Sequence, residues 1–389
     1  MKQKTERLLV FGFVGTMFLI ALLFFILPHQ RFSELENRYL QSTPQLTWEN
    51  LLSKKFAEEA ESFITDHFPF RDKWLWIKST SEKYRLQQEN NGIYYGKDGY
   101  LFEKFLEPDY TKVQQYIDSV NRFASNHPEV NMTFMLAPTS IGLYPERLPW
   151  LAPSYPQKKV NQFIGDHMHN DINFMNGFDF LEPHATEPIY YRTDHHWTTY
   201  GAYLAYVAFA EQQGWKPYSQ EDFLIETVSN SFLGSYHTRS QFTNLTPDTI
   251  KAYIPSDAVF TEMYISDVDQ TMTSMYDESY LTKKDQYSYF LGGVHALMKL
   301  TTKLDTKQIE QDKILVIKDS YAHNFIPFLT RHVSEIHVID LRYYNGSITS
   351  YLTENNIKDV LFLFNTATLV DDTSLLKLNT QTSHSEIGK

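Results

Sequence analysis

Residues Leu8 to Leu27, LLVFGFVGTMFLIALLFFIL, carry no charge. At 1.5 Å per residue such a helix spans roughly 30 Å, the hydrocarbon thickness of a bilayer. No polar face interrupts the run, so the buried helix of a soluble core is a poor description of it. The expectation is a transmembrane helix at 8–27, with everything else folding after it. Lys2, Lys4 and Arg7 precede the run, against Glu6 alone. The positive-inside rule then leaves residues 1–7 in the cytoplasm and exports the chain from Pro28 onward. A cleaved signal peptide is the competing expectation. Its apolar region is usually shorter and ends at a small-x-small site, whereas Pro28-His29-Gln30-Arg31 follows here. The preferred reading is an uncleaved, single-pass signal anchor in the cell membrane, with the main domain extracytoplasmic.

The remaining length bounds the architecture. A chain of 389 residues allows two or three domains, or one large α/β domain with insertions. Lys+Arg is 35 against Asp+Glu 47, a net charge of −12, which disfavours a nucleic-acid partner because phosphate needs a basic face. The absence of cysteine excludes disulfides, thiolate metal sites, iron–sulfur clusters and a cysteine nucleophile. Aromatic residues are 15% of the chain. They suit sugar-stacking surfaces, although core filling explains aromatic residues more often.

Residues 28–90 read as a polar, mostly helical stalk, with apolar residues at helical spacing in SKKFAEEAESFITDHF. From 91 the pattern changes to short apolar runs separated by helical stretches. Strands are expected at Met132–Ala137, Asn173–Leu181, Ile314–Lys318, Glu335–Leu341 and Asp359–Asn365, and a helix at Thr199–Gln213. ILVIK and DVLFLF lack polar alternation, as strands covered on both faces of a parallel sheet do. The expected fold is therefore α/β, a sandwich with a mostly parallel sheet over 91–371. The stretch from about 216 to 300 is polar and shows no long apolar strand. It reads as an insertion, either covering a substrate cleft or simply solvated. Residues 372–389 read as a frayed tail.

Two segments carry chemistry. In Ile314–Tyr321 an apolar strand runs directly into Asp319-Ser320 and on towards a helix. Ligands of parallel α/β sheets bind beyond the carboxyl ends of strands, and the N–H groups that follow, beginning with Tyr321, face whatever binds there. Ser320 is thus a candidate nucleophile, with an ordinary turn or helix cap as the plain alternative. Serine needs a base, and the base an orienting carboxylate. Tyr191-Arg192-Thr193-Asp194-His195-His196-Trp197 offers both. Asp194 and His196, two apart, meet in a tight turn, while Asp194 and His195 diverge in an extended loop. His196 is therefore the candidate base, and His195 shapes the loop or binds substrate. A metal reading of Asp194, His195, His196 and His323 is disfavoured, because neighbouring histidines rarely converge on one ion and no His-x-x-x-His occurs. No metal or other cofactor is expected. A buried polar loop with satisfied histidines is the remaining alternative.

Thr193–Trp197 and Lys318-Asp319-Ser320-Tyr321-Ala322 together resemble the DHHW protein family. Through it the chain is similar to the alginate O-acetylation proteins of the SGNH-like hydrolase superfamily. Ser33-Glu34-Leu35-Glu36-Asn37-Arg38, Asp66-His67-Phe68-Pro69-Phe70-Arg71, Gly96–Phe102, Pro138-Thr139-Ser140 and Tyr144-Pro145-Glu146 extend the resemblance over most of 31–366. It implies a circularly permuted α/β/α sandwich with Ser320 as nucleophile, His196 as base and Asp194 as orienter. The superfamily's Gly-Asp-Ser is Lys318-Asp319-Ser320 here, which puts a close backbone approach in doubt. Its oxyanion hole uses the serine N–H, a glycine N–H and an asparagine side chain. Asn365, at the end of a strand, is a candidate donor, as is the Tyr321 N–H, while Gly292-Gly293 has no evident placement. Trp197 and Arg342 are candidate substrate contacts, although a salt bridge explains Arg342 as well. Arg71 and Arg192 stand in similar doubt.

The function that follows from the resemblance is O-acetyl transfer to a cell-envelope polysaccharide, with a multi-pass membrane acyltransferase as upstream donor, because one helix cannot carry an acyl group across a bilayer. A carbohydrate esterase would use the same three residues with water as acceptor. A polysaccharide-binding or assembly subunit that kept the fold without the chemistry is the third expectation.

Overall fold

The computed structural model describes residues 2–33, 38–84, 88–256, 260–303 and 310–379. The chain forms two compact units, Met1–Asn90 with Thr238–Asn244, and Asn91–His237 with Leu245–Lys389.

The first unit opens with helix α1 (Lys2–Ile26), long and apolar enough to cross a membrane and with its side chains largely exposed. Three helices follow: α2 (Trp48–Leu52), α3 (Lys55–Asp66) and α4 (Arg71–Tyr84). Thr47 caps α2 by accepting the Asn50 N–H at 3.2 Å. The Asp-His of the 66–71 motif holds the preceding chain. Buried Asp66 accepts the Gln41 N–H at 2.8 Å, and the His67 ring bonds the Gln41 carbonyl at 2.9 Å. Glu34 to Asn37 of the 33–38 motif lie outside the described residues.

The second unit runs α5 (Tyr110–Asn126), β1 (Asn131–Ala137), α6 (Gln157–His167), β2 (Ile172–Asn176), α7 (Gly177–Leu181), α8 (Thr199–Gln212), β3 (Phe223–Phe232), β4 (Asp248–Pro255), β5 (Phe260–Ile265), β6 (Gln270–Met272), β7 (Leu297–Lys303), β8 (Gln311–Lys318), β9 (Val333–Ile339), α9 (Ile348–Asn355) and β10 (Asp359–Asn365). Eight strands make one sheet in the order β6-β5-β7-β9-β8-β10-β1-β2. The five strands β9-β8-β10-β1-β2 are parallel, and β7, β5 and β6 continue the sheet antiparallel from β9. Residues 314–318 and 360–365 are buried on both faces. That is why their sequence lacks alternation: helices cover each face, making a three-layer α/β/α sandwich.

One face is held by aromatic rings in register. Phe174, Phe134 and Phe362 sit opposite one another on β2, β1 and β10 and stack at 6.3 and 5.6 Å. Phe123 of α5 meets Phe362 edge-on at 6.3 Å. Truncating Phe362 leaves a void that neighbouring rings cannot fill without leaving register. Phe362→Ala is therefore expected to destabilise the unit by about 3–5 kcal/mol, read as a lowered urea midpoint with an unchanged slope.

Three expectations need correction. The strand expected over Asn173–Leu181 stops at Asn176, whose side chain accepts the Phe178 N–H at 3.3 Å and caps α7. The stretch 216–300, read as an insertion, supplies strands to the main sheet. β3 and β4 pair as a separate hairpin, and β5–β7 extend the main sheet. Exposed or half-buried residues interrupt β3, β4 and β7, so no apolar run announces them. The tail is ordered over Thr373–Asn379, a 3-10 helix that buries Leu375 and Leu378 and bonds Ser119 of α5 at 2.8 Å through both Leu375 O and Asn379 Nδ2. Residues 380–389 lie outside the described residues.

Candidate active site

Strand β8 ends at Lys318, and the chain turns at once into a 3-10 turn, Ser320–Ala322. Asp319 makes the turn. Its Oδ1 accepts the Tyr321 N–H at 2.8 Å, and its Oδ2 accepts the Asn365 N–H and side-chain amide, both at 2.7 Å. The carboxylate thus fastens the end of β8 to the end of β10 and leaves Ser320 half-buried above them. The Ser320 N–H donates to no group among the described residues.

The loop 190–197 is closed by an antiparallel bridge between Tyr190 and Trp197. Asp248 of β4 holds it, accepting the Arg192 N–H at 3.0 Å, the Thr193 N–H at 2.8 Å and the Thr193 hydroxyl at 2.6 Å. Within the loop Asp194 Oδ1 accepts the His196 N–H at 2.9 Å and lies 2.6 Å from His196 Nδ1. His196 Nε2 then lies 2.7 Å from Ser320 Oγ. Asp194 and His196 are buried. Burial alone would raise the Asp194 pKa. The two histidines, the His196 bond and the Ser235 N–H at 2.7 Å outweigh it and hold the carboxyl well below the usual carboxylate range. Gly234 is required at this point, because a Cβ there would overlap the Asp194 carboxylate.

Sequence reasoning missed Tyr287. Its ring lies flat on His196, 3.6 Å between centroids and 11° between planes. Its hydroxyl reaches the Ser320 carbonyl and Asn324 Oδ1, both at 3.1 Å. The imidazole therefore has a carboxylate at one nitrogen, a hydroxyl at the other and an aromatic plane against its face. Only the density of aromatics in YSYF hinted at this role. Lys284 also went unnoticed. Its Nζ bonds the Leu233 carbonyl at 2.8 Å, and burial lowers its pKa to about 8, against the pull of Asp194.

The weaker candidates fall elsewhere. His195 Nδ1 lies 2.6 Å from Ser235 Oγ, and its side chain is one-third exposed. Trp197 is fully buried, which corrects its assignment to substrate. Its indole N–H donates to Tyr321 O at 3.0 Å and Asn324 Oδ1 at 2.8 Å, tying the loop to the serine turn. Asn365 is no oxyanion donor in this geometry. Its amide hydrogens go to Asp319 and Thr368, and its carbonyl oxygen accepts the Thr368 N–H. The Tyr321 N–H is likewise taken by Asp319, and the Gly293 N–H by Phe290 O at 3.3 Å. Arg342 grips Asp340 through two bonds of 2.9 and 2.6 Å. Arg192 pairs with Asp248 at 3.3 Å, and Arg71 belongs to the first unit. Lys318, the last residue of β8, points its buried ammonium at Asp340 (3.1 Å) and His323 (2.8 Å). Burial lowers its pKa against the pull of Asp340.

Ligand atoms of Asp194, His195 and His196 lie within 4.8 Å of one another. As a metal set they are compromised, because His196 Nδ1 is bonded to Asp194 and His195 Nδ1 to Ser235.

A family model described as DHHW protein matches residues 93–339. The chain belongs to the DHHW protein family. A solved DHHW family protein from Eubacterium siraeum superposes with a TM-score of 0.64 at 25% identity, covering 76% of this chain and 97% of that one. Bacillus cereus PatB1, solved with a sulfonyl adduct, has the same fold at 18% identity, with a TM-score of 0.63 over 74% of this DHHW protein and 98% of PatB1. No curated protein matches the chain.

Proposed function

We propose that this DHHW protein is a membrane-anchored serine acyl-group enzyme that transfers an acetyl group to a cell-envelope polysaccharide. One observation carries the reading: an unbroken hydrogen-bond chain from buried Asp194 through His196 to half-exposed Ser320, with steps of 2.6 and 2.7 Å. That order of carboxylate, imidazole and hydroxyl is what a serine needs to become a nucleophile at neutral pH.

In the first half-reaction His196 Nε2 takes the Ser320 proton as Oγ bonds the ester carbonyl carbon. The Ser320 N–H is positioned to donate to the developing oxyanion. Collapse breaks the bond to the donor alcohol, which leaves with the proton from His196. In the second, a sugar hydroxyl gives its proton to His196 and attacks the acyl-enzyme, and Ser320 recovers a proton as it leaves. Asp194 stays anionic throughout and balances the imidazolium. The acetyl group, the polysaccharide acceptor and a multi-pass membrane acyltransferase as donor come from the motif resemblance. The membrane location, with residues 1–7 inside and the second unit outside, comes from the apolar α1 and the charges before it.

The test is an incubation with a chromogenic acetyl ester, with and without an oligosaccharide acceptor. A serine carrying one acetyl group in intact-mass spectra, followed by acetylated sugar, supports transfer. Acetate alone supports the esterase direction. The absence of both an acyl-enzyme and sulfonyl fluoride labelling of Ser320 would overturn the reading in favour of a binding subunit.

Tyr287 gives a further expectation. Tyr287→Leu removes the plane against His196 and the bonds to Ser320 O and Asn324. A loss of imidazole alignment is expected to lower kcat roughly 10- to 100-fold. KM should move little, because no substrate contact is removed. Tyr287→Phe keeps the ring and should retain most of the rate.

A further inference from the structure

Between Leu46 and Ile77 nine large apolar side chains are exposed, against ten in all the described residues of the second unit. Trp48 and Leu52 are 82% exposed, Ile64 54% and Trp74 51%. Water-facing domains do not usually concentrate such side chains, and a cluster of this kind marks an interaction surface.

The position of this segment along α1 identifies the partner. His29 Nε2 bonds the Phe24 carbonyl at 3.1 Å, and the Phe24 ring meets Phe63 of α3 edge-on at 6.0 Å. His29 also packs on Phe63 at 5.1 Å and on His67 at 4.7 Å. The C-terminal end of α3 is therefore level with the last turn of α1, where the apolar run stops. A bilayer that contains α1 has its boundary at that level. Ile64, the residue after Phe63, and exposed Phe68 then stand at the headgroups. The composition fits that depth, with Trp and Phe beside Lys54, Lys55 and Lys73. Lys73 lies 5.4 Å over the Phe70 ring. Between Leu27–His29 and Asp66–Arg71 opens a cavity of about 360 Å³, apolar on Leu27 and Phe68 and lined on its polar side by Arg71 and Lys73 with Asp66 and Asp72.

We propose that α2–α4 form an interfacial collar, the apolar side chains of Leu46–Ile77 entering the headgroup region of the leaflet at the C-terminal end of α1. The collar rests on α1 spanning a membrane. It lays the stalk along the lipid surface rather than projecting it away, as an amphipathic segment with aromatic anchors does.

The chain has no cysteine, so a single introduced thiol is a unique label. Leu19→Cys, Trp48→Cys, Ile64→Cys and Tyr343→Cys would each carry an environment-sensitive NBD probe. The full chain would be reconstituted in phosphatidylcholine–phosphatidylglycerol vesicles containing a shallow nitroxide lipid. Probes at 48 and 64 are expected to shift to the blue and lose intensity to the nitroxide. The probe at 343, on an exposed side chain of the second unit, is expected to remain water-like. A blue-shifted probe at 19 with water-like probes at 48 and 64 overturns the collar while leaving the anchor intact. Blue-shifted probes at 48 and 64 that escape the nitroxide mean that protein, not lipid, covers the face, and also overturn it. A water-like probe at 19 removes the anchor itself, and the collar with it.

Discussion

Ser320→Ala is expected to abolish acyl transfer, with kcat falling by a factor on the order of 10⁴ to 10⁶. At about 1.4 kcal/mol per decade this is roughly 5.5–8 kcal/mol of transition-state stabilisation. The size follows from the geometry. No other hydroxyl is bonded to His196 Nε2 among the described residues, so the variant has no nucleophile to which the base is aimed. What survives is whatever binding and the Ser320 N–H, which alanine retains, provide to a water attack. Folding should be little affected, because the side chain is half-buried and its one strong bond is to His196. The comparison is ester turnover and acyl-enzyme mass for both proteins at equal Tm. Turnover within tenfold of the parent would mean that Ser320 is not the nucleophile.

The second large effect is at Asp194. Asp194→Asn is nearly isosteric, yet a loss of about 10⁴ in kcat is expected. An amide presents either a neutral oxygen or an N–H to His196 Nδ1. In the first case it balances the imidazolium poorly, and in the second it favours the tautomer whose Nε2 cannot accept the Ser320 proton. The Ser235 N–H at 2.7 Å and the His196 N–H at 2.9 Å still need acceptors, and the amide has one oxygen for the two sites. The same substitution has a stability signature with a definite sign. A carboxyl whose folded pKa is depressed contributes stability that is present above its unfolded value of about 4. That contribution is lost as pH falls towards the folded value. Asp194 is such a group. The parent should therefore lose stability on acidification below about pH 4, and Asp194→Asn should show a shallower loss in the same range. An equally steep acid limb in both proteins would mean that Asp194 is not held in its charged form.

Much of the fold was legible because its signals are local. ILVIK and DVLFLF are neighbouring strands in the core of a parallel sheet, where both faces are covered and apolar side chains predominate. Asn173–Leu181 was misread because its apolar pattern continues past Asn176, and the cap that stops the strand is a side chain bonding two residues on. The strands of 223–303 were invisible for the opposite reason. Exposed Thr, Ser and Lys residues interrupt them, and they look like loop until paired.

The candidate site divides the same way. Asp194 and His196 stand two residues apart, and Asp319-Ser320 follows directly on an apolar strand, so each half is a short pattern readable from neighbouring residues. Residue chemistry also marked α1, a helix long and apolar enough to cross a membrane. No local pattern contains the meeting of the two halves across 124 residues at 2.7 Å. None contains the Ser235 N–H, 41 residues beyond the carboxylate it holds, Asp248, 55 beyond the Thr193 it clamps, or Tyr287 lying on His196. The same contacts decided that Trp197 and Asn365 bind their own chain. Hydrogen-bond donors, ring faces and buried charges acquire partners only when the sheet brings distant segments together. Chain connectivity specifies which groups are available, and packing specifies which of them meet.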